Sequence, residues 1–309
     1  MPSEKSVKVF SPATVSNVGS GYDIMGFAID KPGDILEMEL NNSNIITIEN
    51  STDVSIPVDA SNVVVPALEK MKAKLGNSDG IHLRFLEKIN PGSGIGSSAA
   101  SSAGAVFAFN ELTGRKFKGF ELVEFAMEGE RLVSGEAHAD NVAPCILGGF
   151  ILIRSYKPLD IIQIPFPEEL VCTIVHPDIV IKTSESRQLV RKNVPVKNAV
   201  TQTGNASALI AGLMSKDLGL IGRSVSDVIA EPYRKSLIPG YDRAKISVLD
   251  SGALAFNISG SGPSVFAFNT DAESARVSAS IISSVFDSLG IKSTSYISTI
   301  SRLGVRTIM

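Results

Sequence analysis

Glycine at alternate positions, Gly92, Gly94 and Gly96, followed at once by Ser97 and Ser98, is the pattern in this chain best suited to chemistry. The order is an apolar strand, then Pro91-Gly-Ser-Gly-Ile-Gly-Ser-Ser98, then a run of small residues from Ala99 to Phe109 that reads as a helix. Glycines take positive φ at no steric cost and let bare amides approach a ligand. The helix start adds unpaired N–H groups and the positive end of its dipole. Together they make an anion site suited to a polyphosphate, and the Ser97 and Ser98 hydroxyls stand where they can cap the helix or reach a bound Mg²⁺. A tight strand-to-helix turn capped by serine uses the same residues, so the loop alone does not decide. Two familiar nucleotide loops fit poorly. GxxxxGK[ST] needs a lysine before the hydroxyl, and none is present. GxGxxG needs a third glycine where Ser97 stands, and an acidic residue about 20 positions on, after a second strand. Glu111 is near that offset but falls at the end of a helix.

The bulk properties limit what such a site serves. With 309 residues, a sizeable core and about two domains are expected. A net charge of −3 gives no electrostatic case for nucleic acid, so any anion must be gripped locally. Cys145 and Cys172 are isolated, with no CxxC and no histidine at metal spacing, and read as buried free thiols. Met1 to Lys5 lack the apolar core of a signal peptide, and no apolar run approaches the ~18 residues that span a membrane. The expectation is a soluble cytoplasmic protein with no membrane or nucleic-acid partner.

The elements that must position the loop are legible in outline. Val7 to Phe10 reads as a strand broken by Pro12, and Asn17 to Asp23 as a polar glycine-rich turn. Strands are expected at Ile35 to Leu40, Asn44 to Glu49 and Ile81 to Phe85, with a helix from Val63 to Leu75 ending at Gly76. Phe120 to Leu132 makes a second amphipathic helix, and Gly148 to Ile153 a buried strand. Pro158, Pro165 and Pro167 fall within ten residues, which places a domain boundary there, between 1–165 and 166–309. The second half predicts a strand from Leu170 to Val175 and three or four helices between Thr183 and Asp250. A strand pair (Ala253 to Ile258, Ser264 to Asn269) follows around Gly260-Ser-Gly-Pro263, then a helix from Ala275 to Leu289 and one or two strands. Strands and helices mix without strict alternation, which favours an α+β class.

Pro91 to Ser101 resembles the Pro-x-Gly-x-Gly-Leu-Gly-Ser-Ser-Ala phosphate loop of the GHMP kinase superfamily, with Ile95 in place of leucine. Ser11 to Asp23 resembles the N-terminal segment of the homoserine kinase branch, and Ile258 to Ser264 the C-terminal turn that backs the phosphate loop. Gly135 to Pro144, Thr183 to Arg187 and Pro232 to Pro239 resemble further segments of that branch, in order along nearly the whole chain. Tyr22 stands where phenylalanine is usual, and Ala139 where proline is. The resemblance implies two domains: one like the second domain of ribosomal protein S5, then a ferredoxin-like one, with ATP and substrate meeting between them. It also implies ATP-dependent phosphorylation of the L-homoserine hydroxyl in threonine biosynthesis, and a homodimer.

By the same resemblance, ATP is held by Pro91, Gly92, Ser93, Gly94, Ile95, Gly96, Ser97, Ser98, Ala99, Ala100 and Ser101, with Asn62 at the adenine. Ser98 and Glu130 are the implied Mg²⁺ ligands. Arg187 and Arg234 match the pair that holds the substrate carboxylate, and Asp23 the partner of its ammonium. His138 lies in the same pocket, and Asn17 and Thr183 lie near the reacting hydroxyl. Asp140 and Asn141 both fall in the segment where mevalonate kinases place a catalytic aspartate, and the homoserine kinase branch places the amide of Asn141 at the critical spot. Transfer without a carboxylate base is therefore expected, although Asp140 is adjacent. Taken singly, Asn17 and Asp23 are ordinary turn formers, and Glu130 and Arg187 are ordinary helix residues; the ordered set carries the argument. The rivals are a kinase for another small alcohol, such as mevalonate or a sugar, and a ligand-sensing protein on this scaffold without turnover. A neutral sugar gives the Arg187, Arg234 and Asp23 set little to do.

Overall fold

The computed structural model describes residues 6–134 and 138–309. The opening five residues and positions 135–137 of the Gly135 to Pro144 motif lie outside the described residues.

Strand β1 (Ser6–Ser16) runs straight through Pro12 rather than stopping at it. Its pairing with β2 (Met25–Asn41) shifts register between Pro12 and Thr14. An irregularity of that kind asks no ladder N–H of the proline, which is why the strand survives. β3 (Ile46–Asn50), α1 (Val64–Leu75) and β4 (Gly80–Glu87) follow, then α2 (Ser97–Leu112), α3 (Gly119–Ser134) and α4 (Val142–Leu147). β5 (Phe150–Tyr156) and β6 (Leu159–Ile164) close the first unit. β6 is a strand within the stretch read as a proline-rich boundary. Pro158 and Pro165 sit just outside its ends, where they cost the ladder nothing.

The second unit holds β7 (Val171–Pro177), α5 (Thr183–Leu189), α6 (Val196–Ser215), α7 (Leu218–Ser224), α8 (Glu231–Arg234) and α9 (Tyr241–Asp250). Then come β8 (Ala255–Ile258), β9 (Val265–Asn269), α10 (Ala272–Asp287) and β10 (Ser293–Thr299). Five helices, not three or four, therefore fill Thr183 to Asp250; α7 and α8 are too short to show a helical period in sequence. Its sheet has the order β10-β7-β9-β8, antiparallel throughout. In chain order that is 4-1-3-2, the expected ferredoxin-like arrangement. The last strand, β11 (Arg306–Thr307), returns to the first sheet and pairs with β1. That sheet runs β11-β1-β2-β4-β3, with β5 attached to β2 and β6 to β5.

One apolar core joins the two units. Phe27 on β2 stacks on Phe150 of β5 at 5.7 Å and meets Phe268 of β9 at 5.5 Å between ring centres. A cluster of this kind fixes the spacing of any site between the sheets, because packed aromatic contacts have few alternative arrangements. Among the described residues no helix is long and apolar enough to cross a membrane.

Candidate active site

The phosphate loop lies between β4 and α2. Gly92, Gly94 and Gly96 all take positive φ (73°, 80° and 73°), as the sequence predicts. Only glycine fits at Gly96, where a Cβ would stand 2.1 Å from Thr14 Oγ1, and at Gly94, where it would meet the Gly262 carbonyl at 2.7 Å. These contacts place β1 and the Gly260 turn directly behind the loop. Asn141, at the start of α4, joins them. Its amide donates to Ser16 Oγ (2.8 Å) and accepts from Thr14 Oγ1 (2.7 Å), so Asn141 holds β1 against the loop.

α2 supplies the helix start and is built of small residues so that α3 can come close. At Gly129 of α3 a Cβ would stand 2.0 Å from Ser102 Oγ of α2. That proximity brings Glu130 to the loop, where its Oε1 accepts from Ser98 Oγ at 2.5 Å. Burial pushes the Glu130 carboxyl above its ordinary value, with the Ser98 hydrogen bond and the Arg187 charge opposing. A buried acid beside a serine hydroxyl, at the positive end of a helix, is an oxygen donor pair suited to a hard cation. Among the described residues no cluster of three or more His, Cys, Asp and Glu is placed to hold a metal. Mg²⁺, which keeps few protein ligands when phosphates supply the rest, fits such a sparse set.

The lysine missing from the loop's sequence arrives from β4 in space. Lys88 Nζ lies 2.5 Å from Ser97 Oγ and 3.1 Å from Asp34, both buried. Asp34 also accepts from the Ile89 N–H and from Ser101 Oγ. Burial works against both charges of the Lys88–Asp34 pair, and each stabilises the other's charge. Ser97 and Ser101 thus face this pair beneath the loop, and Ser98 is the serine turned to Glu130. The pair was not foreseen: Asp34 and Lys88 are 54 residues apart, and neither lies in a recognisable motif.

A cavity of about 280 Å³ opens in front of the loop. Its apolar end is lined by Ile56, Pro57, Val63 and Phe85, with Asn62 beside them. Asn62 is fixed by donating to the Pro57 carbonyl and accepting from the Val64 N–H. Asn17, Asp23, His138, Thr183, Arg187 and Arg234 line its polar end, with Asp140 and Asn141. Pro91, Gly92, Gly94, Gly96, Ser97, Ser98, Ser101 and Glu130 line the part between. Of the expected nucleotide residues, Ser93, Ile95, Ala99 and Ala100 are buried and do not line it; they build the loop and the helix from behind.

The polar end is charged, and its groups are buried or half-buried. Asn17, in the left-handed region (φ 68°), donates to the Gly260 carbonyl and accepts from the Asp23 N–H, tying the first glycine-rich turn to the last. Asp23 receives a two-pronged contact from Arg187 (2.8 and 3.2 Å), and His138 Nδ1 stands 4.0 Å away. Arg187 and Asp23, assigned by resemblance to opposite ends of a ligand, here face each other. Thr183 Oγ1 lies 3.2 Å from Ser261 Oγ. Arg234 is only 3% exposed and lies over the Tyr22 ring. Its Nη1 donates to the Gly260 carbonyl at 3.0 Å, its Nε has no partner, and among the described residues no carboxylate lies within ion-pair distance. Burial lowers its pKa. Asp140 is buried, and its carboxyl is pushed up to about 6 by burial and then by the charge of Asp23.

The comparisons agree with this geometry. The model for the GHMP kinases N terminal domain matches residues 62–149, and that for the GHMP kinases C terminal matches 209–287. A homoserine kinase of Chlorobium phaeovibrioides is 44% identical over 321 residues, covering 98% of this chain and all of the relative. A homoserine kinase of Methanococcus maripaludis is 41% identical over 84% of this chain and 87% of its own. The crystal structure of homoserine kinase from Cytophaga hutchinsonii has a TM-score of 0.95 at 44% identity, covering 100% of this chain and 99% of that one. The structure of L. major mevalonate kinase in complex with R-mevalonate shares the fold alone, at a TM-score of 0.71 and 16% identity, covering 97% of this chain and 98% of that one. With the loop, its helix and its backing turn matched in place, and near-full-length identity above 40%, the chain belongs to the GHMP kinases, in the homoserine kinase branch.

Proposed function

We infer that this chain transfers the γ-phosphoryl group of ATP to the side-chain hydroxyl of L-homoserine, giving O-phospho-L-homoserine and ADP, a step of threonine biosynthesis. The observation that carries the substrate is Arg234: a buried guanidinium with no carboxylate partner among the described residues, at the end of a cavity whose middle is a phosphate loop. Burying such a charge is costly unless an anion meets it. The substrate's carboxylate answers Arg234. Its ammonium answers Asp23, and Arg187, which faces Asp23 in the ligand-free chain, then shares the carboxylate. A zwitterion offers Arg234 and Asp23 each a group of opposite charge, and a neutral sugar offers neither.

ATP is placed with its phosphates on the loop and its base at the apolar end beside Asn62 and Val63. Residues 1–165 then supply most of the nucleotide site and 166–309 most of the amino-acid site. Ser98 and Glu130 would hold Mg²⁺, which would supply charge neutralisation on the transferring phosphate. The homoserine oxygen forms its bond to the γ-phosphorus as the bond to the bridging oxygen of ADP breaks. Asn17 and Thr183 orient that hydroxyl, His138 packs beside Asp23, and Asn141 holds Thr14 and Ser16 behind the loop. Incubation with ATP, Mg²⁺ and L-homoserine is expected to release ADP one for one with O-phospho-L-homoserine in a phosphorus NMR spectrum. ADP release without that phosphoester contradicts the assignment.

The hydroxyl proton leaves to a phosphate oxygen or to water, with no carboxylate base. Asp140 is the group that tests this, because a carboxyl with a pKa near 6 is a competent acceptor above that pH. Asp140→Asn is expected to keep measurable turnover. If Asp140 were the base, its loss would cost about 10²- to 10⁴-fold in kcat, and the fall in activity of the parent below about pH 6 would vanish in the variant. That pair of results, with homoserine binding intact, overturns the base-free mechanism.

A further inference from the structure

We propose that His176, on β7 of the second unit, is a positioning residue for the phosphate loop, acting through the Ser264 hydroxyl on the carbonyl of Ser93. The proposal rests on the reading of the loop as the ATP site. The Ser93 carbonyl accepts from Ser264 Oγ at 2.6 Å and from the Ser264 N–H at 3.3 Å. His176 Nδ1 lies 3.2 Å from the same hydroxyl. A hydroxyl carries one proton, and a carbonyl offers only lone pairs. The Ser264 proton is therefore spent on Ser93, and the proton between ring and hydroxyl belongs to the ring. His176 is thereby fixed as the Nδ1–H form, donating to Ser264, which donates to Ser93.

The consequence reaches the cavity through the planarity of the peptide. In a trans peptide the C=O and the N–H of the next residue point in opposite directions. Pinning the Ser93 carbonyl toward β9 aims the Gly94 N–H the other way. Ser259 Oγ holds the next carbonyl, that of Gly94, at 2.7 Å, and so aims the Ile95 N–H. Neither N–H meets an acceptor among the described residues. Two consecutive amides presented on one side form an anion-binding concavity. His176 supplies the outer end of this arrangement from a strand that lines no part of the cavity, and it ties the loop to the second sheet.

The test uses His176→Ala, His176→Asn, His176→Gln, Ser264→Ala and the double variant His176→Ala/Ser264→Ala. Asparagine places an N–H near the Nδ1 position, and glutamine near Nε2. Kinetics with ATP and homoserine are paired with calorimetry using ADP and Mg²⁺. His176→Ala is expected to raise the ATP KM and the ADP Kd about three- to tenfold, the effect of losing one neutral hydrogen bond. The homoserine KM should hold within twofold. Asparagine should restore nucleotide binding and glutamine should not. In the double variant the His176 change should add nothing to Ser264→Ala. Equal loss with asparagine and alanine, multiplying effects in the double variant, or equal shifts in both KM values overturn the proposal. If the alanine variant fails to fold, the asparagine and glutamine pair still decides. A parent that binds ADP without phosphorylating homoserine contradicts the functional reading and leaves the calorimetric arm standing.

Discussion

Glu130→Gln should abolish nearly all turnover while leaving the protein folded. Glutamine keeps the volume and still accepts from Ser98, but it removes the charge proposed to hold Mg²⁺. Positioning and charge neutralisation are most of what a phosphoryl transferase contributes. The expected fall in kcat/KM is therefore several orders of magnitude at ordinary Mg²⁺, with partial recovery as Mg²⁺ is raised. Stability should move the other way. Burial raises the Glu130 pKa, so ionising it costs the folded state. That cost is absent below the ordinary value of 4.5 and is fully felt above the raised one. Glutamine carries no such cost. Without metal at pH 8, the variant's melting temperature should equal or exceed the parent's. Near-normal turnover at ordinary Mg²⁺ would remove Glu130 from the metal site.

Arg234→Leu should cripple homoserine use through weaker binding. Arg234 is buried, has no carboxylate of its own among the described residues, and is held in place by the Gly260 carbonyl and the Tyr22 ring. A buried ionic group that loses its partner costs about 3–5 kcal/mol, which at the substrate carboxylate is a loss of about two to four orders of magnitude in kcat/KM. The slow hydrolysis of ATP by water should change far less, because the loop is untouched. The analogue 3-aminopropan-1-ol, which lacks the carboxylate, should be a poor substrate of the parent and lose little on mutation. An equal fall for both alcohols would make Arg234 a structural or phosphate-side residue.

The loop and most elements were legible because their signals are local. Alternating glycines before a helix of small residues force the turn at Gly92 to Gly96, where Gly96 rather than a serine caps α2, and helical or alternating periods mark α1, α3 and β4. The site's electrostatics were legible only as a set of residues. That Arg187 faces Asp23, 164 positions away, or that Lys88 pairs with Asp34 beneath the loop, depends on which strands lie side by side. No spacing in the sequence encodes that. β6 was hidden for a different reason: the prolines that bracket it are the same residues that mark linkers. His176 gave no signal at all, since a lone histidine near the end of a buried apolar strand looks like any half-buried position. Its partner Ser264 lies 88 residues on, within a turn whose glycines drew the attention.

The central claim is that this cavity selects an amino-acid alcohol by its two charges. The measurement that tests it most directly is ADP release, coupled to a continuous assay, with L-homoserine, L-serine, L-threonine, mevalonate and galactose at equal concentrations. The account predicts the highest kcat/KM for L-homoserine, which has both charges and a hydroxyl at the right reach. Serine and threonine should follow well behind, since their hydroxyls sit closer to the charged groups, and mevalonate and galactose should stay near the ATP-hydrolysis background. Mevalonate or galactose turned over as well as homoserine would contradict it.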